Sequence, residues 1–160
     1  MQMKKGKPIV EEVPVLLGVY DLMSHVSQLW REHTGNDSIT LPQYLFLSAV
    51  AANPMQSQIF IGRYVSMDRS TVSTITKTLI DKSWLIAHVD QADRRLRKLE
   101  LTPLGLKTVK NMTVVVSSIE EMLHARRSDG YKTAIQWLVG VRDARIKIEK
   151  AAVQAERADL

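Results

Sequence analysis

Residues 66–105 read as a helix, a tight basic hairpin and the start of a second helix, an order that few small folds contain. From Asp68 to Ile80, Val72, Ile75 and Leu79 recur on one helical face, while Ser70, Thr71, Ser73, Thr74, Lys77 and Thr78 fall elsewhere. Serine and threonine are poor interior helix residues because their hydroxyls compete for backbone hydrogen bonds. A helix rich in them is more easily retained if its exposed side has a use. Short hydroxyls with an Arg and a Lys can meet phosphate oxygens and base edges without holding the backbone away from a groove. A merely solvated threonine-rich face is the alternative.

The segment that follows weakens that alternative. Leu85-Ile86-Ala87-His88-Val89 is a β-prone run, and Asp90 to Asp93 form a polar turn. Arg94-Arg95-Leu96-Arg97-Lys98 opens the return strand, with Leu99 and Leu101 on one of its faces. Thr102-Pro103 then supplies an N-cap and a proline at the first helical position. Helix, basic hairpin and helix in this order predict a winged helix-turn-helix, and a fold class that is mainly α with a small β-hairpin wing (α+β).

At these residues the chain resembles the MarR family of bacterial transcriptional regulators. The resemblance lies in Met67-Asp68-Arg69-Ser70-Thr71-Val72-Ser73, in Asp93-Arg94-Arg95 and in Leu101-Thr102-Pro103-Leu104-Gly105, with Leu41-Pro42-Gln43-Tyr44 and Leu47 upstream. Ile61-Gly62 stands where the family often has Leu-Ala, and Ser66 stands near a turn where glycine is common. The resemblance implies a homodimer that interleaves its terminal helices on a near-palindromic operator. It also implies that Asp93 orients Arg95 in the wing.

Charge placement points the same way. The chain holds 22 Lys and Arg against 17 Asp and Glu, a formal net charge of +5. Residues 57–110 carry ten of those cations and five of the anions, which leaves twelve of each elsewhere. The whole excess thus falls on the winged segment, as expected of a surface that meets phosphate. A solubilising bias would look similar.

Residues 1–12 read as a mobile arm with a basic start at Lys4 to Lys7, and 13–160 as one domain. Its winged lobe spans about 40–102, and dimerisation helices span about 13–33 and 103–158. Val15, Val19, Leu22, Met23, Val26, Leu29 and Trp30 have helical spacing, and Gly35 to Ser38 end that helix. Thr40 and Gln43 have capping-box spacing, and Asn53-Pro54 closes the next helix. Leu104 to Arg127 is expected as one helix with Val109, Met112, Val116, Ile119 and Leu123 in a stripe. Ser128-Asp129-Gly130 breaks it before a last helix carrying Ile135, Leu138, Val139, Ile146 and Val153. Two such helices carry more apolar surface than a small winged lobe covers, so a second copy is the expected partner. It would hold recognition helices about 34 to 36 Å apart, one turn of duplex.

The expected DNA contacts are Arg69, Ser70, Thr71, Ser73, Thr74 and Lys77 on the helix and Arg94, Arg95 and Arg97 on the wing. Arg69 has an alternative use in an ion pair with Asp68 or Asp81, and Trp84 is expected beneath the hairpin. His25, His33, His88 and His124 occur singly, without metal-ligand spacing, and the absence of cysteine removes disulfides, thiolate ligands and thiol oxidation. No cofactor, metal or catalytic residue is expected. There is no glycine-rich phosphate loop or nucleophile elbow, and no apolar run reaches the roughly 18 residues of a membrane span. A cytoplasmic, non-enzymatic regulator is expected, a repressor released by a small organic effector such as an aromatic acid. The resemblance implies an effector cleft, for which Trp30, His33 and Tyr44 are the candidates; packing accounts for these three equally well. The rival reading is a winged-helix module for protein or RNA partners, without operator specificity.

Overall fold

The computed structural model describes residues 14–34, 39–91, 93–94, 96–125 and 129–158, and the chain divides into two compact units, residues 1–40 and 41–160. The basic arm, the 35–38 loop, Arg95 and Ser128 lie outside the described residues, as do the side chains of Val15, His124 and Val153.

In the first unit, helix α1 (Pro14–Thr34) starts on a proline, whose missing N–H costs nothing at the first helical position. Leu29, Trp30 and Ile39 are buried, and the Trp30 indole N–H donates to the Ile39 carbonyl at 2.9 Å. Leu16, Tyr20 and Met23, at spacings of four and three, share one face and stay exposed.

The second unit is organised around α2 (Leu41–Ala52), an apolar helix that buries Phe46, Leu47, Ala49 and Val50. It is followed by β1 (Gln56–Ser57), α3 (Gln58–Tyr64), α4 (Arg69–Asp81), β2 (Leu85–Val89) and β3 (Arg97–Leu101). The unit ends with α5 (Pro103–Asn111), α6 (Thr113–Ala125) and α7 (Asp129–Ala158). Helix α2 packs against α3, α4, α5 and β3. Phe46, Leu47, Ile61, Leu79, Leu85 and Leu99 are almost wholly withdrawn from water, each contributing about 1.5 to 3 kcal/mol by burial.

The expected hairpin is present, with Leu85 opposite Leu101 and Val89 opposite Arg97. A third strand, β1, was not expected: it pairs antiparallel with β3, Gln56 opposite Leu99, giving the order β1-β3-β2. Two residues show no alternation, so only their tertiary pairing reveals them. The helix expected from Leu104 to Arg127 is also divided, at Met112. Thr113 to Val116 are four consecutive β-branched residues, which crowd a helical turn. Val116 N–H still bonds the Met112 carbonyl at 3.0 Å, so the hydrogen-bond ladder steps across the break. The expected stripe survives it: Ile119 is buried and Val109, Met112, Val116 and Leu123 are half-buried.

Two glycines mark contacts too close for a side chain. A Cβ at Gly62 would stand 2.6 Å from Val72 Cγ2, where α3 meets α4. A Cβ at Gly105 would stand 2.0 Å from the Trp84 carbonyl oxygen, which accepts the Thr102 N–H at 3.1 Å. The Thr102 hydroxyl, expected as an N-cap, accepts the Gly105 N–H at 2.9 Å and donates to the Ser83 carbonyl at 2.7 Å. The start of α5 is therefore tied to the end of α4 through backbone atoms that cannot rotate aside. Gly105→Ala is expected to destabilise the fold by about 3 kcal/mol, lowering the melting temperature by roughly 5 to 10 °C in a calorimetric scan. An unchanged melting temperature would show that α5 is not docked there.

Candidate nucleic-acid interface

Helix α4 begins at a cap. Asp68 has extended backbone angles, and its carboxylate accepts the Thr71 N–H at 2.9 Å together with the hydroxyls of Ser70 and Thr71, both at 2.5 Å. Those two hydroxyls, and then the Thr71 N–H, hold the Asp68 carboxyl well below the usual carboxylate range. The acid is thus spent on the helix start, and no ion pair links it or Asp81 to Arg69 among the described residues.

The hydroxyls of α4 are largely committed within the helix. Thr74 donates to the Ser70 carbonyl at 3.1 Å and Thr78 to the Thr74 carbonyl at 3.0 Å. Such back-bonding slightly destabilises a helix, so α4 depends on its buried apolar face to hold its threonines in helical conformation. These bonds leave Ser70, Thr71 and Thr74 able to offer oxygen lone pairs and methyl groups outward, with their protons already used. Ser73 lies exposed between them, as do Arg69 and Lys77. Val72, Ile75, Thr76 and Leu79 face inward.

The wing brings one arginine to the same surface. Arg97 stands on the hairpin face of Leu99 and Leu101, but at the strand end where that face leaves the core. Two clefts flank α4 there. The larger, of about 560 Å³, is lined by Arg63, Met67, Arg69, Leu96 and others; the smaller, of about 360 Å³, by Thr76, Lys77, Ile80, Asp81 and Ala87. Gln58, Ser73 and Arg97 line both. Four cations, Arg63, Arg69, Lys77 and Arg97, therefore surround the exposed side of α4. Arg94 is exposed at the wing turn, and Arg95 lies outside the described residues.

Sequence reasoning missed Gln58 and Arg63, because neither belongs to α4 or the hairpin. It also missed Asp68 as a cap, although Asp followed three residues later by Thr at a helix start is a readable signal. Lys98 is turned to the other sheet face and held by Asp90 at 2.5 Å. Asp90 also accepts the Asp93 N–H at 3.1 Å, so it organises the wing turn. His88 pairs with Glu100 at 2.8 Å on that same outer face. Trp84 is half-buried and not fully covered beneath the hairpin as expected, and the Lys82 ammonium lies 4.7 Å from its ring centroid, a cation–π contact at the protein surface.

Of the candidate effector residues, Trp30 and His33 belong to the first unit and Tyr44 to the second. Trp30 is buried with its N–H committed to Ile39, His33 is exposed with Nδ1 2.7 Å from the Leu29 carbonyl, and Tyr44 is half-buried on α2. Among the described residues no cluster of three His, Asp or Glu could hold a metal, and no helix is long and apolar enough to cross a membrane.

The arrangement recurs in known proteins. A model of the MarR family matches residues 37–96, from the approach to α2 through the wing turn. A protein named as transcriptional regulator for the hcr operon of Thauera aromatica is 28% identical over 102 residues, 64% of this chain and 61% of the relative. The match thus spans about three fifths of that relative's length. The PcaV transcriptional regulator of Streptomyces coelicolor, solved with its natural ligand, superposes with a TM-score of 0.73 at 26% identity, covering 89% of this chain and 99% of PcaV. A mutant of MarR from E. coli complexed with operator DNA has the same fold, with a TM-score of 0.74 at 15% identity over 84% and 97% of the two chains.

The cap sets two effects in opposition. Removing the Asp68 charge would strengthen attraction to phosphate, whereas removing the cap would loosen the first turn of α4, where Arg69 stands. Asp68→Ala is expected to lower the melting temperature and to weaken duplex binding, with the lost helix start outweighing the lost repulsion. Fluorescence anisotropy on a labelled duplex reads the sign, and tighter binding by the variant would refute the cap argument. The depressed carboxyl makes the cap's contribution complete above the ordinary carboxylate range, to be lost only as pH falls below it.

Proposed function

Because the chain belongs to the MarR family of winged-helix regulators, we propose that it is a transcriptional regulator that binds duplex DNA as a homodimer on a near-palindromic operator. The observation that carries this reading is Arg97, a wing residue that lines both clefts beside α4 together with Ser73. Helix and wing thus address one partner whose surface spans both. In this reading α4 enters a major groove, and Arg94, Arg95 and Arg97 of the wing reach the adjacent backbone or minor groove. Arg69 and Lys77 grip phosphate, and Ser73, Ser70, Thr71 and Thr74 meet base edges and sugar.

The dimer is supported by apolar surface that each unit leaves uncovered. On α1, Leu16, Tyr20 and Met23 are 68%, 68% and 65% exposed. On α7, Trp137, Val141 and Ile148 fall within about 40° of one another at 100° per residue and are 62%, 49% and 71% exposed, opposite buried Ile146. Stripes of this kind mark association surfaces. Repression, with release by a small organic effector such as an aromatic acid, completes the proposal; that PcaV was solved with a natural ligand supports the binding of some effector. The effector and DNA then weaken each other's binding by the same factor.

Titration of an inverted-repeat duplex should show one dimer per site. Arg97→Ala should weaken specific and random duplex by similar factors and make the dependence of log affinity on log salt shallower by about one unit for each phosphate no longer neutralised. Ser73→Ala should instead change the preferred bases. An unchanged salt slope in Arg97→Ala, or affinity for duplex no better than for single-stranded RNA, would favour a winged module serving another partner.

A further inference from the structure

Helix α3 ends against a residue 81 positions away. Its last four carbonyls, those of Ile61, Gly62, Arg63 and Tyr64, have no partner inside the helix. The following turn satisfies three: Val65 N–H bonds Ile61 at 3.1 Å, Met67 N–H bonds Gly62 at 2.9 Å, and Ser66 N–H bonds Arg63 at 3.1 Å. This is the Schellman pattern, with Ser66 in the left-handed region at φ 58°. The fourth carbonyl, Tyr64, accepts from Arg145 Nη2 of helix α7 at 2.7 Å, and Arg145 Nη1 donates a second bond to the Arg63 carbonyl.

The guanidinium thus clamps the two carbonyls that lead into the turn between α3 and α4. That turn, Val65 to Asp68, places Arg69 and the rest of the DNA-reading helix. A non-glycine residue held at positive φ is itself unfavourable, so the turn keeps this shape only while its surroundings hold it. Arg145 sits beside buried Ile146, on the part of α7 that faces its own fold. The exposed stripe of Trp137, Val141 and Ile148 lies next to Arg145 on the same helix, about 40 to 80° away around its axis, so the guanidinium stands at the border between the covered face and the stripe.

We propose that Arg145 is a positioning residue for operator recognition, fixing the helix-turn-helix to α7 and thereby setting the distance and rotation between the two recognition helices of the dimer. The inference rests on the dimeric DNA-binding reading above. One guanidinium joins a helix with an uncovered apolar stripe to the turn that aims the reading helix. A planar group with two parallel donors suits such a joint, since it fixes angle as well as distance.

Spacing selectivity tests this. Each base pair inserted between half-sites turns one relative to the other by about 35°, from 10 to 10.5 base pairs per turn. Full-length protein would be titrated against operators with the natural half-site spacing and with one base pair added or removed. The wild type should prefer one spacing, and Arg145→Ala should reduce that preference by about fivefold, in the range of couplings within one hydrogen-bond network. A generally damaged protein would lose affinity equally at every spacing, so a uniform loss overturns the proposal, as does a wild-type profile in the variant. If Arg145→Ala does not fold, Arg145→Lys replaces it: a single ammonium lacks the planar fork, so an intermediate selectivity supports the proposal and a wild-type profile overturns it. A wild type indifferent to spacing would defeat the dimeric reading itself, and the proposal with it, before any variant is measured.

Discussion

Leu79, Leu85 and Leu99 are fully or almost fully buried, and each comes from a different element: the reading helix, the first wing strand and the second. Helix α2 completes this core with Phe46, Leu47 and Val50. Everything the surface does depends on that shared burial. A helix of 13 residues rich in serine and threonine would be marginal in water, and an isolated two-stranded hairpin little better. Joined through one core they become a rigid body, and Ser73, Lys77 and Arg97 acquire fixed relative positions.

The joints around this core use backbone groups more than side chains. Thr102 binds the Ser83 carbonyl, and Gly105 lies against the carbonyl of Trp84. Helix α4 ends as α3 does: Ser83 N–H bonds the Ile80 carbonyl at 2.8 Å and Trp84 N–H bonds Leu79 at 2.9 Å, with Ser83 at φ 58°. Serine replaces the usual glycine at both left-handed positions. The strain is tolerated because the hydrogen bonds on either side over-determine the turn. Serine near Ser66 marked a departure from the family pattern, and the geometry shows the same backbone conformation achieved without glycine.

Charge is sorted by the same packing. Lys98 and Arg97 are adjacent in sequence, but strand alternation sends Lys98 to Asp90 on one face and Arg97 to the α4 side on the other. Asp68, at the start of the reading helix, is occupied by the hydroxyls of Ser70 and Thr71. Four of the ten cations of residues 57–110, Arg63, Arg69, Lys77 and Arg97, line the clefts where α4 and the wing meet, against Asp81, while Asp90 and Glu100 are engaged on the outer face of the hairpin.

Local regularities in the sequence were enough to determine α4, the hairpin, the Thr102-Pro103 helix start, and the location of the charge excess, because each rests on neighbours within about one turn or one strand. The two-residue strand β1 and the involvement of Gln58 and Arg63 were decided by tertiary structure. None has a periodic signal, and β1 exists only because β3 offers it hydrogen bonds. The bond from Arg145 to the end of α3 is the extreme case. Backbone carbonyls carry no sequence identity, so no residue near Arg63 or Tyr64 advertises an arginine partner in α7; only packing α7 beside α3 put the guanidinium within reach.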